Sequence, residues 1–135
     1  MIRYIEHTSD VGFEVEEETL EKLFSSSALA MYGFMIDPFE IESILSRDVD
    51  IQSEDLESLM FDWMDELIFL FESEKIVFNK FDLIIEDFHM IGRCEGGVFD
   101  PLRHETGIVV KAVTYHMMEV KKRNGIWNTR VVLDV

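Results

Sequence analysis

Gly107-Ile-Val-Val-Lys-Ala-Val-Thr-Tyr-His-Met-Met-Glu-Val120 is the longest β-favouring run in the 135-residue chain, rich in Val, Ile, Thr and Tyr and opened by a glycine. Both of its alternating sets are mostly apolar: Ile108, Val110, Ala112 and Met118 on one side, Val109, Val113, Tyr115 and Met117 on the other. The pattern predicts a central strand covered on both faces. Lys111, Thr114 and His116 interrupt it. A lysine in such a run must reach a partner or the rim, because unpaired burial is costly. The plain structural reading is a stem lying along apolar surface with a wet tip.

Downstream, Asn124-Gly125 in the turn Lys122-Arg-Asn-Gly125 signals a hairpin that returns as a last strand, Trp127 to Leu133. The sequence stops at Asp134-Val135, which sets a carboxylate side chain beside a terminal carboxylate at the end of a strand. Upstream, Ile76 to Phe78, Phe81 to Ile85 and Met90 to Glu95 read as strands. Gly96-Gly97 is expected to break that run before the loop Val98 to Thr106.

Two helices precede these strands. Thr19 is the candidate N-cap of the first, with Leu20, Leu23, Phe24, Ala28, Met31 and Met35 as its apolar stripe and Pro38 forbidding continuation beyond Met35 or Ile36. Ser53 or Asp55 caps the second, which runs to about Ser73 behind a weaker strand at Asp48 to Gln52. At the start, Ile2 to Glu6 and Phe13 to Glu16 read as strands joined by the polar tip His7-Thr-Ser-Asp-Val-Gly12. These elements make one α+β domain over residues 1–135, with mostly antiparallel β-sheets and two principal helices packed on them.

The balance of 12 basic against 28 acidic residues, a formal charge of −16, opposes direct attachment to nucleic-acid phosphates or an anionic membrane. A single cysteine, Cys94, makes neither an internal disulfide nor a zinc cluster. With no secretory segment at the start and no apolar run of spanning length, the chain is assigned to the cytoplasm. The common catalytic signatures are missing: no phosphate loop, no dinucleotide turn, no nucleophile elbow and no zinc helix. What remains is Asp10 on the early loop, Asp134 and the carboxylate of Val135 at the far end, and Lys111. Oxygen-only ligands suit hard divalent cations. Among 28 acids, however, any chosen pair also reads as solvated surface. His7, His104 and His116 read as turn or strand partners, Cys94 as a filler of a small apolar space, and Trp63 and Trp127 as anchors.

The order of segments is more telling than any one of them. His7-Thr-Ser-Asp-Val-Gly12, Thr19-Leu-Glu-Lys-Leu-Phe24, Asp55-Leu-Glu-Ser-Leu59, Lys111-Ala-Val-Thr-Tyr-His116 and Leu133-Asp-Val135 together resemble the archease family over essentially the whole chain. The resemblance implies an accessory protein of the GTP-dependent RNA-splicing ligase of the RtcB type, which joins RNA ends bearing a 2′,3′-cyclic phosphate or 3′-phosphate and a 5′-hydroxyl. Such proteins are not ligases. They promote guanylylation of the ligase's active-site histidine and its repeated turnover, notably in tRNA splicing, and are also described as chaperone-like modulators. The family's metal-binding acids fall on Asp10 and Asp134, with Val135 completing the site, and its functional lysine falls on Lys111. Calcium is the first expectation for the metal, with Mg²⁺ and Mn²⁺ as alternatives. Ser9 stands where relatives often have Ala, which leaves Asp10 in place.

From these residues the expectation is an acidic pole, with Lys111 nearby, that docks at the mouth of the ligase. Two other readings remain: a metal-dependent hydrolase or phosphoryl-transfer enzyme acting alone, and an interaction module whose acids only keep it soluble.

Overall fold

The computed structural model describes residues 1–6 and 10–135. Its elements run β1 (Ile2–Glu6), β2 (Asp10–Glu17), α1 (Leu20–Met35), a 3₁₀ turn (Pro38–Glu40), β3 (Leu45–Gln52), α2 (Leu56–Glu74), β4 (Ile76–Glu86), β5 (His89–Val98), β6 (Ala112–Arg123) and β7 (Ile126–Asp134). They form two antiparallel sheets, one in the order β1-β2-β7-β6 and one in the order β3-β5-β4. This is the α+β architecture the sequence predicts. α1 packs on β2 and β7 of the larger sheet and on β4 of the smaller; α2 packs on β6 and on all three strands of the smaller.

Local chemistry sets the helix boundaries. The Thr19 hydroxyl accepts from the Lys22 N–H at 3.1 Å and the Asp55 carboxylate from the Ser58 N–H at 2.7 Å, each pairing a donor that the first helical turn leaves free. α2 stops at Lys75, whose left-handed backbone (φ 59°) turns its N–H onto the carbonyls of Leu70 and Phe71. α1 has no basic residue in its last turn. Instead the carbonyls of Met35 and Phe34 accept from the N–H groups of Gly107 and Ile108, at 2.6 and 2.9 Å. Only glycine fits at 107, because a Cβ there would lie 2.3 Å from the Phe34 carbonyl oxygen.

The shared core holds Trp63, Tyr32, Phe13, Phe24 and Phe78, all fully buried. The polar atoms of its two largest side chains are paired, as buried groups require. The Trp63 indole donates to the Phe24 carbonyl at 3.0 Å, and the Tyr32 hydroxyl accepts from the Phe78 N–H at 3.3 Å. Burial raises the Tyr32 phenol well above its ordinary pKa and pushes the Cys94 thiol up to about 12, so Cys94 is the inert filler expected. Trp127 is half-buried, under the Lys122 ammonium at 5.8 Å.

Ile76 to Phe78 and Phe81 to Ile85 form one bulged strand, β4, and two further expectations about strands need correction. The run 107–120 is not a central strand. β6 begins only at Ala112, lies at the edge of its sheet, and pairs with β7 alone. Its register breaks between Thr114 and Glu119. Val113 is buried before the break and Val120 after it, an odd interval that no straight strand allows on one face. The two apolar sets therefore come from a change of phase at a bulge, not from burial on both sides. The second correction concerns Gly96-Gly97, which continue β5 rather than ending it. A Cβ on Gly96 would lie 1.9 Å from the Val77 carbonyl oxygen, and one on Gly97 2.1 Å from that of Glu42, so the pair marks close backbone approach.

Candidate functional site

β2 alternates between Val11, Phe13 and Val15, which are buried in the core, and Asp10, Gly12, Glu14 and Glu16 on the other face. β7 does the same, with Thr129, Val131 and Leu133 inward and Asn128, Arg130, Val132 and Asp134 outward. The two strands are in register with Asp10 opposite Asp134, a placement that sets paired Cβ atoms roughly 4.5–5.5 Å apart on one face. Asp10 is thus the first residue of a strand rather than part of the preceding tip. His7, Thr8 and Ser9, which the sequence places on that tip, lie outside the described residues.

Lys111 comes to the same end of the sheet. Its N–H donates to the Asp134 carbonyl at 2.8 Å, and the next residue, Ala112, stands opposite Asp134 on β6. Asp134 and Lys111 are exposed, Asp10 is half-buried, and Val135 packs half-buried on the edge of the core. The four residues singled out from the sequence are therefore neighbours at one corner. None of the ion pairs among the described residues involves Asp10, Asp134 or Lys111. Nor, among the described residues, do three His, Cys, Asp or Glu side chains cluster there closely enough to hold a metal ion. The third expected donor is the carboxylate of Val135, so the donor set is oxygen only, which fits a hard divalent cation better than zinc or copper.

Further along the same face the charges are engaged. Arg130 lies opposite Glu14, with Nε 3.2 Å from its carboxylate, and its other end approaches Glu119 at 4.0 Å. Arg3 joins Glu14 at 3.7 Å, and Lys121 and Arg123 join Glu119 at 2.6 and 2.9 Å. The Lys121 ammonium, hydrogen-bonded to it, holds the Glu119 carboxyl below its usual pKa, with smaller help from Arg123 and Arg130. Sequence reasoning missed this network, since ion pairs across strands become visible only once register is known. The other histidines are structural or exposed. His104 accepts the Asp100 N–H on Nδ1 at 2.9 Å, as a turn partner does, and His116 sits exposed on the β6 bulge.

Known proteins resemble this chain in sequence and in fold. The model of the Archease protein family matches residues 2–135. The chain is 38% identical to the Protein archease of Methanosarcina mazei, covering 98% of this chain and 94% of that one. It is 39% identical to the Protein archease of Methanothermobacter thermautotrophicus, covering 98% and 96%. Its structure is similar to the solution structure of Methanobacterium thermoautotrophicum protein 1598, with a TM-score of 0.86 at 39% identity over 99% of this chain and 98% of that one. A crystal structure described as an archease and possible chaperone, from Thermotoga maritima, shares the fold with a TM-score of 0.68 at 19% identity, over 97% and 94%. With the family model spanning all but the first residue, and relatives matched over nearly their full length, this chain belongs to the archease family.

Proposed function

We propose that this protein is a cytoplasmic accessory factor of a GTP-dependent RNA-splicing ligase of the RtcB type, promoting guanylylation of the ligase and its multiple turnover in tRNA splicing, without being a ligase itself. The observation that carries this reading is the meeting of Asp10, Asp134 and Lys111 at one corner of the larger sheet in a chain of this family. Two carboxylates in register, joined by the Val135 carboxylate, repel one another unless a cation or a basic surface approaches. Asp10, Asp134 and Val135 would hold a divalent cation, Ca²⁺ first and Mg²⁺ or Mn²⁺ otherwise. Bound there, the ion would offset two of the three negative charges. Lys111, tied to β7 by its backbone, presents a positive group beside the acids and can orient an anionic group of the partner. The net charge of −16 speeds encounter with an RNA-binding, hence basic, enzyme and keeps this chain itself off RNA phosphates.

The test is a ligation time course with limiting ligase, with and without this protein, alongside single-turnover guanylylation. Asp10→Asn, Asp134→Asn and Lys111→Ala are each expected to reduce stimulation by roughly tenfold or more, the scale on which disturbed metal sites lose affinity or activity. Undiminished stimulation by all three, in variants that remain folded, overturns the assignment.

A further inference from the structure

We propose that the β6 bulge, Tyr115 to Met118, is the apolar anchor that seats this protein on its ligase, next to the acidic corner that supplies the charge. The inference rests on the function proposed above and adds the surface that grips. β6 leaves its ladder after Thr114, opposite Val132, and rejoins at Glu119, opposite Arg130. Tyr115, His116, Met117 and Met118 thus stand against the single residue Val131. So large an excess of chain leaves the ladder as a knuckle, with Tyr115, His116 and Met117 exposed and Met118 packed back against the core.

The knuckle is held at both feet. The Thr114 hydroxyl donates to the Val132 carbonyl at 3.0 Å and accepts from the His116 N–H at 3.2 Å. At the other foot the Thr129 hydroxyl donates to the Glu119 carbonyl at 2.7 Å, and the Glu119 carboxylate is fixed by Lys121 and Arg123. Between the feet the Tyr115 ring stacks on Phe61 of α2, with centroids 4.1 Å apart and planes 4° from parallel, yet Tyr115 remains 54% exposed. Met117 is 55% exposed and sits at φ 56°, a left-handed conformation unusual for a methionine and sustained only where the surroundings impose it. Folding gains nothing from strain that keeps a thioether in water. A docking surface does, because a polarizable, adaptable thioether moulds to a partner and the Tyr115 ring, stacked on Phe61, is already ordered.

Continuity and charge name the occupant. Ala112, opposite Asp134, lies two residues before Thr114 on the same strand, so the knuckle adjoins the acidic corner within one interface footprint. An apolar centre with charge at its rim is the anatomy of a protein contact. The complementary surface is an apolar hollow bordered by basic or metal-bearing groups on the ligase. An RNA backbone offers no such hollow and is repelled by the net charge of −16.

Ligase affinity measured by calorimetry, with calcium affinity measured in parallel, tests the proposal. Met117→Gly keeps the left-handed backbone without strain and removes the side chain. It is expected to leave the melting temperature and calcium affinity unchanged while weakening ligase binding by about tenfold, on the scale of an interface hot spot. Tyr115→Ala is expected to act in the same direction, and Met117→Leu to keep most of the affinity. If Met117→Gly and Tyr115→Ala bind the ligase as tightly as the parent while Asp10→Asn and Asp134→Asn do not, the anchor is refuted and the acidic corner stands. If the parent chain does not bind the ligase at all, both readings fall.

Discussion

The strands β2 and β7 oppose charges twice on the same face, and the two rows follow opposite rules. In one, Glu14 faces Arg130, and Arg3, Glu119, Lys121 and Arg123 close a network around them. In the other, four residues along each strand and hence roughly 13 Å away, Asp10 faces Asp134, and no ion pair among the described residues compensates either. Opposite charges placed across an antiparallel pair stabilise it and like charges weaken it, by roughly 0.2–1 kcal/mol each. Folding alone accounts for the first row. The second is an arrangement that folding alone disfavours and that the proposed cation would relieve.

Gly12 lies between the rows, opposite Val132, and offers the largest way to break the contrast. A Cβ there would sit 2.7 Å from the Val131 carbonyl oxygen, a backbone atom that cannot swing aside. Gly12→Ala must therefore part β2 from β7, at a cost of roughly 1–3 kcal/mol as for other overpacked sites. The melting temperature should fall by about 4 °C for each kcal/mol lost, and cross-strand nuclear Overhauser contacts of both rows should weaken together. An unchanged melting temperature would contradict the close approach.

Glu119→Gln should act on the engaged row alone. Its partners are solvent-accessible, so the loss is about 1 kcal/mol or less, and 1 M salt should erase most of it by screening. Its pH dependence has a definite sign. The folded-state pKa of Glu119 is depressed, chiefly by Lys121, so its contribution is present above the unfolded value of about 4.3 and disappears as the pH falls through the folded value. The difference in stability between parent and variant should therefore shrink on acidification below about pH 4. A difference that grows on acidification would reverse the assignment.

What the sequence conveyed about these rows was uneven, for physical reasons. The helix starts were legible because Thr19 and Asp55 act on their own first turns. The β6–β7 hairpin was legible because Asn124 and Gly125 occupy the two positive-φ positions (51° and 80°) that a tight turn demands. The extent of β6 was not, since a bulge alters the phase of alternation in a way that mimics a strand buried on both faces. Gly96-Gly97 misled for a related reason: local sequence does not distinguish a glycine that turns the chain from one that lets another backbone approach. The corner itself was found by residue type and family order, and its convergence depended on a register no local pattern encodes. The engaged row went unseen because Glu14, Glu119 and Arg130 are scattered in sequence and ordinary in kind.

The smallest effect expected is the sharpest, because its sign separates the rows. In chelator, Asp134→Asn removes a like-charge opposition and should raise stability to urea by about 0.5 kcal/mol, the middle of the cross-strand range. Glu119→Gln lowers it under the same conditions. Adding calcium should invert the order at the corner. A ligand that binds only the folded chain stabilises it by about 2.7 kcal/mol at a hundred times its dissociation constant. The parent would gain that increment and Asp134→Asn little of it. Asp10→Asn should behave alike, and the double variant should gain no more in chelator than either single one, since the repulsion removed is the same pair. If Asp134→Asn is instead less stable than the parent in chelator, Asp134 supports the fold as Glu14 does, and the two rows are one kind of structure.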